Sequence, residues 1–364
     1  MATTLADLFD LAALEQAIEA GYVRFQTHPT LPYVIHNYSE LAQIERHWTP
    51  VTTQCRGLVA HTVTGEVIAR PWRKFHNAGE PGAYTPDPDE QVVVTEKLDG
   101  SLGIGVPTGD GGYMITTRGS FVSDQAQHAT ALWQTRYADR VIVPPGITPL
   151  WEIIYPANRI VVDNGTLDDL VLLGAVEIAT GRTHTPAAAA GAIEWPGPVT
   201  ETYAFAKPAD VLAAPERANR AGYVLHFPAT DERLKVKHEQ YVKLHRIVTG
   251  MNERVVWEHL GLGKPLDELL TPLPDEFHAW TRSVADRLTG ELEQVMGDAA
   301  AEHARIVAGL PAGWTRRDYA ELAKRSTRAP WLFLLLDGRD PAPRIWRTLR
   351  PSGAITMTRD GAAA

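Results

Sequence analysis

The sequence predicts an α+β protein: an antiparallel-sheet body followed by a small, all-helical C-terminal domain. Three observations carry this expectation. From about residue 22 to 247, short apolar stretches alternate with clusters of Gly, Pro and Asp, the punctuation of antiparallel strands. Beyond about residue 250, apolar residues recur at steps of three and four, the stripe of amphipathic helices. The chain has 364 residues, 44% hydrophobic and 22% charged, enough for two domains with cores of their own. The expected boundaries are 1–248 for the body and 249–364 for the helical domain.

The elements follow in order. Residues 5–20 place apolar side chains at helical spacing and stop at Gly21, so a leading helix is expected. Strands are expected at 33–36, 57–61, 67–69, 91–95, 102–106, 113–117, 150–155, 170–178, 222–227 and 234–237, with a helix at 123–137. In the tail, Phe277, Trp280, Val284, Leu288, Leu292 and Val295 mark a long helix over 276–307. Shorter helices are expected at 317–324 and 331–336.

Composition excludes several classes. The single cysteine, Cys55, rules out an internal disulfide framework and a zinc site built on several thiolates. No apolar run is long enough to span a bilayer, and Met1-Ala2-Thr3-Thr4 has no signal-peptide character, so a cytoplasmic protein with no membrane partner is expected. A net charge of −9 argues against a protein that merely coats nucleic acid. Any polyanion site must then be a pocket of selected lysines and arginines.

One stretch concentrates chemistry. Gln91-Val92-Val93-Val94-Thr95 runs straight into Glu96-Lys97-Leu98-Asp99-Gly100-Ser101. A lysine leaving a strand into a glycine turn can point into a cleft, and neighbouring cations make its amine easier to deprotonate and so more nucleophilic. Alone, the same residues would describe a surface lysine beside a hairpin turn. Downstream, Lys235 and Lys237 are two apart on one strand and share a face. Upstream lie Cys55-Arg56-Gly57 and Arg70-Pro71-Trp72-Arg73-Lys74-Phe75-His76-Asn77. Between them come Thr117-Arg118-Gly119 and Leu150-Trp151-Glu152-Ile153, and Gly222-Tyr223-Val224 precedes the paired lysines.

Taken as an ordered set over roughly residues 5–250, these segments resemble the phage RNA ligase 1 family, the tRNA-repair ligases of T-even phages, within the covalent nucleotidyltransferase superfamily. The resemblance implies that the body is an adenylyltransferase domain. It also implies ATP-dependent joining of RNA 3′-OH and 5′-phosphate ends through lysyl-AMP and RNA-adenylate, in RNA or tRNA repair. Lys97 would be the nucleophile, and Lys235, Lys237 and Glu152 would act beside it. Arg56, Lys74, Arg118 and His36 would contact the nucleotide. His36 falls where the family has a tyrosine, and Arg118 where it has a lysine. The implied cofactors are ATP and Mg2+ or Mn2+; the implied partners are ATP, RNA ends such as broken tRNA, and a separate end-healing kinase/phosphatase. Gly261-Leu262-Gly263-Lys264 lacks the spacing of a phosphate-binding loop, so no kinase domain is expected here.

One residue departs from the pattern. Where the family carries Glu-Gly-x-Val, this chain reads Ala221-Gly222-Tyr223-Val224, without the carboxylate. Asp275-Glu276 is a second candidate metal site by the resemblance, although acids also suit the first turn of a helix. Other readings stay open: a DNA-nick ligase of the same superfamily, or a nucleotide-binding or regulatory protein that no longer ligates. The helical texture of the tail, in place of alternating OB-fold strands, favours the RNA ligase organisation. Within the tail, Arg317, Lys324 and Arg328 are spaced to share one helical face that could grip an RNA backbone.

Overall fold

A computed structural model describes residues 2–271, 273 and 278–352. The chain divides into two compact units between Val242 and Lys243, a few residues before the expected boundary and inside the helix Glu239–Gly250. No described helix is long and apolar enough to cross a membrane.

The leading helix is shorter than its apolar spacing suggests. Leu5–Asp7 forms one 3-10 turn, and a second start at Asp10, whose carboxylate accepts from the Ala12 N–H, begins the α-helix Leu11–Glu19. Its apolar face packs Leu14 and Ala17 onto a four-stranded antiparallel sheet. The strands are β1 (Val23–Thr27), β2 (Tyr33–Tyr38), β3 (Arg56–His61) and β4 (Val67–Ala69). β1 escapes prediction because it is largely exposed and polar.

The remaining strands are β5 (His76–Asn77), β6 (Val93–Glu96), β7 (Ser101–Pro107), β8 (Tyr113–Thr116), β9 (Ile147–Ile154), β10 (Asp169–Glu177), β11 (Thr183–His184), β12 (Thr202–Tyr203), β13 (Gly222–Phe227) and β14 (Glu232–Lys237). They form two five-stranded sheets ordered β11-β10-β9-β7-β8 and β12-β6-β13-β14-β5. All named pairings are antiparallel except β14 with β5, where Lys235 stands opposite Asn77. Ile35 and Val59 of the first sheet meet Ile104, Val106 and Leu150 of the second in one buried core. The second sheet's other face buries Trp151, Leu170 and Leu172 against Trp133 of the expected helix, here Asp124–Leu132 continued by a π turn. Hydrophobic burial of this kind, about 25 cal/mol per Å2, is what holds the layers together.

The second unit is helical among its described residues. Helix His278–Ala308 buries Trp280, Val284 and Leu288 against Val256, with the indoles of Trp257 and Trp346 stacked alongside at 6.2 Å between centroids. Helix Arg316–Ala323 ends before Lys324, and Arg328 precedes the next helix, Ala329–Leu336. The expected single face through Arg317, Lys324 and Arg328 is therefore not formed. Arg328 is neutralised instead by Asp298 at 2.7 Å and Glu302 at 3.6 Å.

Candidate functional site

Lys97 is the first residue beyond β6. Its N–H still donates to the Gly222 carbonyl of β13 at 2.9 Å, so the ladder aims the side chain before the strand turns away. Its Nζ donates to the Leu98 carbonyl at 3.2 Å and lies 5.3 Å from the centre of the Tyr241 ring. Lys237 Nζ sits over the same ring at 5.9 Å. The two amines thus share one aromatic floor.

Asp99 holds that floor in place. Its carboxylate is 3% exposed and accepts from the Tyr241 hydroxyl at 2.6 Å and from the Val161 and Val162 N–H groups at 2.8 and 2.9 Å. An acid two residues after the lysine therefore does not pair with it. It clamps the start of the helix Glu239–Gly250 and the loop after β9 to the turn. Gly100 has a similar local reason: a Cβ would stand 2.5 Å from the Ile153 carbonyl oxygen and 3.1 Å from Glu152 Cγ. Gly100→Ala is expected to cost about 1–3 kcal/mol of stability and to displace Glu152. Thermal unfolding of the variant checks this, and an unchanged midpoint would show that the turn has slack.

β14 supplies the opposite wall. Leu234 packs into the apolar layer behind it, while Lys235 and Lys237 face the cleft. Lys235 Nζ and Lys74 Nζ both donate to the Phe75 carbonyl, at 3.1 and 3.2 Å. Lys235 also lies 4.4 Å from the Phe75 ring centre and Lys74 4.7 Å from that of Trp48. Arg56 donates to the Trp72 carbonyl at 3.4 Å and rests over Phe75. Arg118 donates to the Tyr38 hydroxyl at 2.5 Å and rests over its ring.

These six cations line a cleft of about 770 Å3 together with Glu152. None of the six makes an ion pair among the described residues; aromatic rings and carbonyls hold them instead. The electrostatic consequence is marked. Burial, then the charges of Arg56, Lys74, Lys97 and Lys237, hold the Lys235 amine well below the usual lysine range. Burial and the neighbouring cations bring Lys74 down to about 8. Lys237 is lowered by burial and then by Lys97. Burial also pushes the Glu152 carboxyl up to about 7, against the pull of Lys97 and of the Gly100 N–H that donates to it at 2.9 Å. A site that strains its own cations in this way is built to receive an anion.

The sequence-predicted residues divide clearly. Lys97, Glu152, Lys235, Lys237, Arg56, Lys74 and Arg118 share the cleft. His36 does not line it. In the β2–β3 ladder the register shifts after His36, the extra residue being Gly57 of β3 at a φ of 90°, while the β1–β2 register runs unbroken and sets His36 opposite Phe25. His36 is 5% exposed, with burial holding its imidazole down to about 4. Tyr38, which the sequence does not single out, is the tyrosine that enters the cleft. Asp275 and Glu276 lie outside the described residues. Ala221 is fully buried, and among the described residues no three His, Cys, Asp or Glu side chains gather to hold a metal ion. Trp48, Phe75 and Tyr241 also escape prediction; the place of Phe75 beside Lys74 is a signal that could have found it, whereas nothing in the sequence ties Tyr241 to Asp99.

No family model matches the chain. A protein named "Putative RNA ligase" from Thermovibrio ammonificans is 27% identical over 144 residues, covering 37% of this chain and 36% of that protein. The match thus spans little more than a third of the relative's length. Among solved structures, an alanine mutant of Naegleria gruberi RNA ligase with ATP and Mn is similar over 43% of this chain and 52% of that one, at 15% identity and a TM-score of 0.34. The same enzyme with PPi gives 16% identity, the same coverage and a TM-score of 0.33. Both structural likenesses are slight.

Proposed function

We propose that this chain is an ATP-dependent RNA ligase of the phage RNA ligase 1 type, joining RNA 3′-OH and 5′-phosphate ends. The observation that supports this most is the gathering of six cations, Lys97 among them, with no ion pair among the described residues, beside Glu152 in one cleft. Phosphoryl transfer is catalysed mainly by positioning and by neutralising charge on phosphate oxygens, which such a wall supplies. In the first step the neutral Lys97 Nζ attacks the α-phosphorus of ATP. A P–N bond forms, the bond to pyrophosphate breaks, and the amine's proton is lost to the solvent. In the second, an oxygen of the RNA 5′-phosphate attacks the same phosphorus, the P–N bond breaks, and the lysine nitrogen takes a proton back from the solvent. In the third, the RNA 3′-OH attacks the 5′-phosphorus, the bond to AMP breaks, and the hydroxyl's proton is lost to the solvent.

Lys235 and Lys237 contact the α-phosphate in this reading, and Arg56, Lys74 and Arg118 the nucleotide and its leaving phosphates. Tyr38 takes the place first given to His36. A divalent ion fits the donor set if it is held by Glu152 together with nucleotide phosphates and water, the usual economy of Mg2+ sites, and it would neutralise charge on the phosphates. The first unit is the catalytic domain in this reading and the second a module for RNA choice, with end healing left to a separate kinase/phosphatase.

Ala221 favours a second reading, a nucleotide-binding protein with impaired ligation, since no carboxylate stands there. A substrate panel separates the alternatives. With ATP and Mg2+, 5′-phosphorylated single-stranded RNA is expected to be joined, and nicked duplex DNA left unsealed. Sealing of DNA alone would replace the RNA reading with the DNA-nick reading. Binding of ATP without product on any end would favour the impaired protein.

A further inference from the structure

A second cavity, of about 510 Å3, opens beside the cleft and shares its Trp72 wall. Four arginines line it: Arg70, Arg73, Arg182 and Arg233. Arg233 stands two residues before Lys235 on β14, so Arg233, Lys235 and Lys237 form one row of cations on one strand face, about 7 Å apart at each step. The row passes from the second cavity into the first.

The arginines are arranged at a cost. Arg233 is 7% exposed and lies 4.9 Å from the Trp72 ring centre, donating to Asp231 at 3.1 Å. Asp231 is the one carboxylate among the described residues lining this cavity, and it is already shared with His226 at 2.7 Å. Arg70 donates to the Ile178 carbonyl at 2.8 Å and makes no ion pair among the described residues. The turn above it is built close: a Cβ on Gly181 would stand 2.7 Å from the Arg70 guanidinium. Arg73 and Arg182 are half or more exposed and pair only from outside, with Glu232 at 3.2 Å and Glu177 at 2.6 Å. Burial lowers both Arg70 and Arg233; the charge of Arg73 adds to it at each, and Asp231 pulls the other way, at Arg233 more strongly than Arg73 pushes. Four guanidinium groups lining one cavity against a single lining carboxylate leave room for an anion among them, and guanidinium forks match phosphate oxygens.

We infer that this cavity is a phosphate subsite for the RNA strand whose end lies in the main cleft, taking a phosphate that has crossed the Trp72 wall. This rests on the ligase reading for its choice of ligand. The row on β14 then guides one strand: the reacting end meets Lys235 and Lys237, and a phosphate further along meets Arg233, Arg70, Arg73 and Arg182.

The test uses the full chain with Arg73→Gln and Arg182→Gln combined, two exposed residues outside the adenylylation cleft. Covalent labelling from α-labelled ATP is measured beside binding of a fluorescent single-stranded RNA, with and without a 5′-phosphate, across a salt series. The variant is expected to label like the wild type while RNA affinity falls about tenfold and the salt slope flattens by about 0.7 for each phosphate no longer neutralised. A loss confined to the 5′-phosphorylated RNA assigns the pocket to the terminal phosphate, and an equal loss on both assigns it to an internal one. The paired Arg→Lys variant, which keeps the charge without the fork, should recover part of the affinity, which guards against misfolding. Unchanged affinity and slope, or no RNA binding by the wild type, overturn the subsite. Should the wild type take no label yet bind RNA through these arginines, the ligase reading fails and the subsite stands.

Discussion

Lys97→Ala is expected to lower formation of the ATP-derived covalent adduct by at least about a thousandfold. Nucleotide binding should change far less, within about tenfold, because Arg56, Lys74, Arg118, Lys235 and Lys237 remain in the cleft. Lys97→Arg separates the two roles. It restores the positive charge above Tyr241 but offers no neutral nitrogen at working pH, so it should bind ATP and still take no label. Gel autoradiography with α-labelled ATP reads the adduct, and equilibrium dialysis reads binding. A Lys97→Arg protein that labelled at the wild-type rate would mean that this amine serves only as a charge.

Glu152→Gln is expected to do two opposed things. The site loses the buried carboxylate beside Lys97, and adenylylation or ligation should fall by about a hundredfold. The fold should gain, with a definite pH dependence. In the folded protein the carboxyl is pushed up to about 7, against an ordinary 4.5. Below about pH 4.5 both states are protonated, and the group costs nothing. As pH rises toward 7 the unfolded chain ionises freely while the folded one resists, so stability is lost across that window and levels off above it. Glutamine keeps the acceptor for the Gly100 N–H and carries no such cost. The variant should therefore match the wild type near pH 4.5 and exceed it at pH 8, by about 3 kcal/mol at most. Denaturant titrations at the two pH values check this. A variant less stable at pH 8 would show that Glu152 is held by pairing and not strained by burial. Such trade-offs between activity and stability are common where a site stores charge.

How far the site is legible in the sequence depends on whether its logic is local. Lys235 and Lys237 are readable because strand alternation alone puts them on one face, and Lys97 because its strand and turn are contiguous in sequence. β13 and β4 have the expected bounds, since turn residues bracket them. His36 falls outside the residues that line the cleft although its neighbours Asn37 and Tyr38 line it, a difference that residue type alone does not announce. Asp99 is opaque for the opposite reason. Its partners, Tyr241 and the Val161–Val162 backbone, lie far along the chain, so its role exists only in the assembled fold. The short helices Glu40–Ile44 and Pro50–Gln54 escape because five residues cannot display a helical period; the caps Ser39 and Thr49 start them. That pair of helices nonetheless frames Trp48, the ring under Lys74.

The central claim is a covalent one and can be read by mass. Wild-type protein incubated with ATP and Mg2+, then digested and mapped by mass spectrometry, should carry one adenylyl group, on the peptide containing Lys97 and on that nitrogen. An adduct on Lys235, or full occupancy of the cleft by ATP with no adduct on any residue, would contradict the account.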